Sequence, residues 1–144
     1  MSSEATSEPL PFFVYGTLLP GQPNAFLWQD TIRALEYAQI SDCCLYDLRQ
    51  FPVMVNQKGY TVHGLLVWVA DEHFSHVLED LDFFEGFHPG RPQKSNFRRV
   101  KVRAAARDGR TVIAWAYMGH KRHVQGHPII ESGDWAQHIA ARNG

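Results

Sequence analysis

Two segments of the sequence carry residue types that could perform acid/base chemistry together. In the first, an apolar run ends in a glycine and a hydroxyl residue, in the order Tyr15-Gly16-Thr17-Leu18. Successive backbone N–H groups in such a loop can bind an anion, or the oxyanion of a tetrahedral intermediate. An ordinary strand that ends in a turn has the same pattern, and this segment alone fits both interpretations.

The second segment presents a carboxyl group, that of Glu85. Apolar residues recur at helical spacing over residues 74–81, and Glu85 follows Leu81 by four positions. A helix that continues to Gly86 therefore carries Glu85 on its apolar stripe. Exclusion from water raises the pKa of a carboxyl group toward neutrality, which suits a general acid and base. In the alternative interpretation, Glu85 lies at a frayed helix end and pairs with Arg98 or Arg99.

A third candidate, Tyr117, comes from a predicted β-hairpin. Apolar and basic residues alternate over residues 97–106, and a second strand pattern covers residues 111–118. Asp108-Gly109 between them predicts a two-residue turn, which pairs Tyr117 with Val100. Tyr117 then belongs to the apolar face, where its hydroxyl group needs a hydrogen-bond partner or a ligand.

Metal and covalent chemistry are less well supported by the sequence. His120, His123 and His127 have suggestive spacing, but Gly126 and Pro128 interrupt any helix that would align them, and we predict no metal site. No G-x-S-x-G motif is present. The cysteines, which are consecutive at positions 43 and 44 within an apolar run, are expected to be inert, unbridged core residues of a reducing compartment.

The composition predicts one soluble domain. The 144 residues are 44% hydrophobic and 20% charged, and the net charge of −1 gives no bulk attraction to nucleic acid or membrane. Residues 1–11 contain no signal-peptide pattern and are predicted to be a mobile tail, with the domain spanning residues 12–142 and a cytoplasmic location. Short or irregular strands are expected over residues 36–55. Because strands outnumber helices, we expect an α+β fold with a curled or barrel-like sheet.

Taken in order, several segments resemble the γ-glutamylcyclotransferase-like superfamily, and the first of them looks especially like its γ-glutamylamine cyclotransferase branch. Each segment is unspecific alone, whereas the ordered set covers residues 12–135. The segments are Phe13-Val14-Tyr15-Gly16-Thr17-Leu18 with Gly21-Gln22-Pro23-Asn24, Leu81-Asp82-Phe83-Phe84-Glu85-Gly86, Arg98-Arg99-Val100-Lys101-Val102, Ala114-Trp115-Ala116-Tyr117 and Ile130-Glu131-Ser132-Gly133-Asp134-Trp135.

The resemblance implies a small mixed β-barrel with flanking helices and a cavity at its mouth. It also implies cyclisation of a γ-glutamyl amide to 5-oxoproline with release of an amine, without a metal or cofactor. Glu85 matches the catalytic carboxylate, Tyr117 an aromatic residue of the cavity, and the loop that holds the γ-glutamyl group is matched by Tyr15, Gly16, Thr17 and Leu18.

Two positions depart from the family pattern, and a second function remains open. Phe97 stands where a tyrosine is common, and Leu19-Pro20 replaces a more basic pair; neither is expected to touch the chemistry. The alternative to an enzyme is a non-catalytic module that binds a small ligand in the same pocket, and a third interpretation is another amide- or ester-processing enzyme that uses the cavity. The sequence specifies neither the leaving amine nor an oligomeric state.

Overall fold

A computed structural model describes residues 9–88, 90–91 and 96–143 of the chain. Most of the predicted tail therefore lies outside the described residues, although the carbonyl oxygen of Pro11 accepts a hydrogen bond of 2.9 Å from the N–H of Trp115. The strands and α-helices follow in the order β1 (Phe12–Val14), β2 (Ile32–Asp47), β3 (Pro52–Val69), α1 (Phe74–Glu85), β4 (Arg98–Ala106), β5 (Thr111–Met118), α2 (Lys121–Val124) and α3 (Trp135–Asn143).

The strands form a closed barrel in the order β1-β3-β2-β4-β5. Strand β1 is antiparallel to β3 but parallel to β5, where Phe12 pairs with Trp115, so the sheet is mixed. The predicted α+β fold, a small mixed β-barrel with flanking helices, is confirmed. None of the helices in the described segments has the length and apolarity needed to cross a lipid bilayer.

The expectation of short strands over residues 36–55 is wrong. Strands β2 and β3 pair along their length, from Ile32 opposite Val69 to Asp47 opposite Pro52. The polar residues that interrupt the apolar pattern coincide with an irregularity in the strand pairing after Ser41. There the N–H of Gly59 donates to the Asp42 carboxylate at 3.2 Å. A bulge of this kind bends a strand without ending it.

The β4–β5 hairpin also differs from its prediction by one residue. Its loop has three residues, 107–109, closed by a hydrogen bond of 2.8 Å from Ala106 N–H to the Arg110 carbonyl, with Gly109 at φ +94°. Tyr117 therefore pairs with Arg99 rather than with Val100. Because side chains alternate along a strand, this shift places Arg99 on the same face as Tyr117.

Two apolar clusters follow from this arrangement. The first contains side chains from all five strands and fills the barrel. The second lies between the outer surface of β1, β3 and β5 and helix α1, whose Phe74, Val77, Leu78 and Leu81 are all buried. Helix α1 ends at Gly86, which adopts φ +70° as the predicted C-terminal stop. The apolar stripe of α1 thus fixes which of its faces meets the barrel.

We predict that Gly64→Ala strongly destabilises the barrel. A Cβ atom at this β3 position would overlap the carbonyl oxygen of Val14 in β1, and backbone cannot move aside without loss of the β1–β3 pairing. We expect a loss of about 2 kcal/mol or more in the free energy of unfolding, measured by urea denaturation. Gly90→Ala is the control, because a Cβ atom there would have no described neighbour within 4 Å. Equal stabilities of the two variants would contradict the close approach.

Candidate active site

A cavity of about 330 Å³ opens where β1, the β2–β3 loop, α1 and β5 meet. All six candidate residues of the sequence analysis line it: Tyr15, Gly16, Thr17, Leu18, Glu85 and Tyr117. The other described lining residues are Phe13, Val14, Asn24, Gln50, Phe51, Pro52, Phe84, Asn96 and Phe97. Segments up to about a hundred positions apart in sequence therefore meet around one space.

The loop that follows β1 is closed on itself by hydrogen bonds. The Leu19 N–H donates to the Gly16 carbonyl at 3.0 Å, and the Asn24 N–H donates to the Thr17 carbonyl at 2.9 Å. The Asn24 side chain also donates to the Thr17 hydroxyl at 2.9 Å, and it makes no capping bond to the short 3-10 helix that follows. Asn24 thus ties the loop together, a role for which the sequence contains no signal.

Gly16 is needed for close packing rather than for an unusual backbone angle. Its φ does not lie in the left-handed region, but a Cβ atom there would lie 2.8 Å from Cγ of Pro52. Among the described groups, none accepts a hydrogen bond from the N–H of Gly16 or Thr17. These two backbone donors are consequently available to a bound anion or oxyanion.

Glu85 is the last residue of α1, and its partly exposed side chain faces the cavity. Burial raises the pKa of its carboxyl group from 4.5 to about 7, since the charged form loses hydration. This agrees with its predicted place on the apolar stripe. The alternative pairing of Glu85 with Arg98 or Arg99 is not observed among the described residues, where Arg99 is bound to a different carboxylate.

That carboxylate belongs to Asp82, one helical turn before Glu85. Arg99 donates from Nε to Asp82 Oδ1 at 2.9 Å and from Nη2 to Oδ2 at 3.3 Å, and both side chains are nearly buried. The Arg99 guanidinium also lies over the Trp115 ring, 4.5 Å from its centre. Burial alone raises the pKa of Glu85, and the charge of Arg99 makes no contribution to it. The alternation of apolar and basic residues over residues 97–106 gives no signal for this pair.

The two tyrosines of the cavity are joined to the same ion pair. The Tyr15 hydroxyl donates to the Tyr117 carbonyl at 2.6 Å, and the Tyr117 hydroxyl donates to Asp82 Oδ1 at 2.6 Å. Burial raises the pKa of both phenols well above the ordinary value, and the nearby Glu85 carboxylate adds to this. Both phenols stay neutral and commit their protons to protein acceptors, so each offers a ligand its ring rather than an O–H donor.

The β2–β3 loop lines the cavity with Gln50 and Phe51, next to Pro52 at the start of β3, and the loop is attached to α3. Asp47, at the end of β2, accepts a hydrogen bond of 2.7 Å from His138 Nε2 and lies 3.3 Å from Arg142 Nη1. Burial works to raise the pKa of Asp47, but the hydrogen bonds from His138 and from the Arg49 N–H lower it on balance. Helix α3 therefore fixes one wall of the cavity from outside.

Two further expectations from the sequence concern metal binding and Phe97. Within the described segments, no group of three or more His, Cys, Asp or Glu side chains could hold a metal ion, and the rings of His120 and His123 pack edge to face. Phe97 lines the cavity, so this departure from the family pattern lies where a substrate would bind, and that it does not touch the chemistry stays a prediction.

Comparison with known proteins places the chain in a family. The sequence profile described as "Gamma-glutamyl cyclotransferase, AIG2-like" matches residues 12–137. A Vibrio cholerae protein named "Putative gamma-glutamylcyclotransferase" is 31% identical over 127 residues, which cover 88% of this chain and 96% of that protein. The chain belongs to the gamma-glutamyl cyclotransferase, AIG2-like family.

Solved structures have the same fold. The crystal structure of an AIG2-like protein from Mus musculus matches with a TM-score of 0.59 and 22% identity, over 87% of this chain and 88% of that one. YkqA from Bacillus subtilis matches with a TM-score of 0.69 and 21% identity, over 94% of this chain but only 43% of YkqA. The chain therefore spans less than half the length of YkqA, and at these identities the similarity concerns the fold.

We predict that Glu85→Gln stabilises the protein above neutral pH. In the wild type the folded-state pKa lies above the unfolded value, so the cost of ionising the buried carboxyl group appears as pH rises from 4.5 to about 7 and is complete above that. Removing the charge should raise the free energy of unfolding by about 1–3 kcal/mol at pH 8, and by much less at pH 4. Urea denaturation at the two pH values measures this, and an equal effect at both would contradict the raised pKa.

We predict that Asp82→Asn has the opposite effect. The substitution leaves Arg99 buried without an anion, which should cost about 3–5 kcal/mol. Asp80→Asn on the same helix is the control, because the Asp80 side chain is about half exposed and its ion pair, with His76 at 3.2 Å, lies at the surface. Thermal unfolding should place the control within about 0.5 kcal/mol of the wild type. An equal loss of unfolding free energy in the two variants would show that the buried Asp82–Arg99 pair is no more important for stability than a surface pair.

Proposed function

We propose that the protein cyclises a γ-glutamyl amide to 5-oxoproline and releases an amine, with Glu85 as general acid and base. The observation that carries the proposal is the Glu85 carboxyl group, whose pKa of about 7 lets it accept and return a proton near neutral pH. Membership of the family supports the reaction type.

The reaction is intramolecular in the substrate. The Glu85 carboxylate takes a proton from the substrate's α-ammonium group, and the free α-amine then attacks the γ-carbonyl carbon to form the new C–N bond. The attacking nitrogen still carries two protons in the tetrahedral intermediate. The original amide C–N bond breaks as protonated Glu85 gives its proton to the leaving nitrogen. The regenerated Glu85 carboxylate then passes the second proton from the ring nitrogen to the released amine, which leaves as an ammonium ion. Holding the substrate bent for ring closure supplies effective molarities on the order of 10⁵–10⁸ M.

The loop after β1 has a matching role in this proposal. The N–H groups of Gly16 and Thr17 would donate to the developing oxyanion and, with Tyr15 and Leu18, hold the γ-glutamyl group. Tyr117 would form part of the cavity wall beside it. Loss of one oxyanion donor typically slows a reaction by about 10²–10³-fold, so a loop kept in place by Asn24 matters for rate.

We also infer the partners and the cellular compartment of the protein. We infer a small γ-glutamyl substrate and no nucleic-acid or membrane partner, because the net charge is −1. The free, buried thiols of Cys43 and Cys44 fit a reducing cytoplasm.

The test is release of 5-oxoproline from γ-glutamyl-alanine, ε-(γ-glutamyl)-lysine and γ-glutamyl-butylamine. We expect Glu85→Gln to lower kcat/KM by about 10²–10⁴-fold, since glutamine cannot transfer the proton. Glu79→Gln, on the exposed face of the same helix, should keep wild-type activity. The wild-type kcat/KM should rise with pH through about 7, because the reaction needs the Glu85 carboxylate.

Two results would count against this function. If Glu85→Gln kept most of the activity, Glu85 would not be the acid/base group. Tight binding of these amides by folded wild-type protein with no 5-oxoproline released would favour the alternative, a non-catalytic module that binds a small ligand.

A further inference from the structure

The charge around the cavity is unevenly distributed. Among its described lining residues, Glu85 is the only one that ionises near neutral pH, since both tyrosines stay neutral. The inner wall is buried and formed by Phe13, Val14, Leu18 and the tyrosines. Together with the N–H groups of the loop after β1, Glu85 therefore supplies the polar contacts for one cation and one anion.

Among the described residues, the mouth of the cavity is lined by aromatic side chains and by no charged side chain other than that of Glu85. Phe51, in the β2–β3 loop, is 41% exposed, and Phe84, near the end of α1, is 42% exposed. Phe97 and the buried Pro52 continue the apolar surface inward. The polar residues there, Gln50 and Asn96, carry no charge. Two partly exposed phenylalanine rings at a cavity mouth offer apolar area to a bound group.

These two regions match the two parts of a γ-glutamyl amide. The ammonium group of the glutamyl part can meet the Glu85 carboxylate, and its γ-carbonyl oxygen can meet the backbone N–H donors of Gly16 and Thr17. The amine part extends toward Phe51 and Phe84. A further charge on that part would lose hydration beside phenylalanine rings, with no opposite charge on the described lining residues to compensate.

We propose that the released amine is an apolar arylalkyl or alkyl amine that carries no charge other than that of its reacting nitrogen. Its apolar group packs between Phe51 and Phe84. This inference rests on the proposed cyclotransferase function. Amino acids are disfavoured as leaving groups because they keep a carboxylate. Diamines and lysine are disfavoured because they keep an ammonium group.

A pair of substrates that differ in one carboxylate tests the first half of this inference. γ-Glutamyl-phenethylamine and γ-glutamyl-phenylalanine have the same aromatic side chain, and we expect kcat/KM to be at least about tenfold higher for the former, a difference of about 1.4 kcal/mol. γ-Glutamyl-pentylamine against γ-glutamyl-1,5-diaminopentane, which adds one ammonium group, tests the second half with a similar expected ratio. Equal or reversed ratios in the wild type would overturn the proposal.

Two neighbouring phenylalanines provide matched variants. Phe84→Lys places a cation at the mouth and should shift the ratio toward γ-glutamyl-phenylalanine by about threefold or more, mainly through KM. Phe83 is 88% exposed and does not line the cavity, so Phe83→Lys adds the same charge to the same helix without changing the ratio. The same shift in both variants would mean a long-range charge effect and would overturn the role of Phe84.

Failure of the proposed function would give a different result. Folded wild-type protein would then release 5-oxoproline from none of the four amides. Dissociation constants measured by isothermal titration calorimetry would still decide the present inference. Tighter binding of each apolar amide than of its charged counterpart would support it, and no preference would overturn it.

Discussion

The buried ion pair of Asp82 and Arg99 is the interaction on which the site depends. It joins α1 to β4, and through the hydroxyl of Tyr117 it also reaches β5. A buried pair gains little net stability over apolar packing, but it is costly to break, so it specifies one arrangement of these three elements. Glu85, one helical turn after Asp82, has a pKa that is raised by its own burial.

The same arrangement creates a conflict between stability and chemistry. A carboxyl group with a pKa of about 7 is partly ionised at neutral pH in a place where its charge is poorly solvated, which costs folding free energy. The rest of the domain offsets this with two apolar clusters, one inside the barrel and one beneath α1. Helix α1 contributes to both stability and chemistry. Its apolar stripe packs on the barrel, and its last turn carries Asp82 and Glu85.

Barrel closure explains how the loop after β1 comes to face that turn. Strand β1 has only three residues, yet it pairs with β3 on one side and with β5 on the other. Its end at Val14 therefore opens beside Tyr117 and under α1. The β2–β3 loop completes the opposite wall, where Pro52 packs against Gly16 and α3 holds the loop through Asp47.

Local patterns in the sequence were enough to predict the fold class, the family and the residues around the cavity, since strand alternation, the helical stripe to Glu85 and the Gly86 stop each involve neighbouring positions. The contacts of those residues depend instead on how distant elements meet. The hairpin turn is one residue longer than predicted, which places Arg99 on the same face as Tyr117, where Arg99 pairs with Asp82. The roles of Asn24, Asp82 and Asp47 could not be predicted from the sequence. Their partners come into contact with them only when the barrel closes and the helices pack against it.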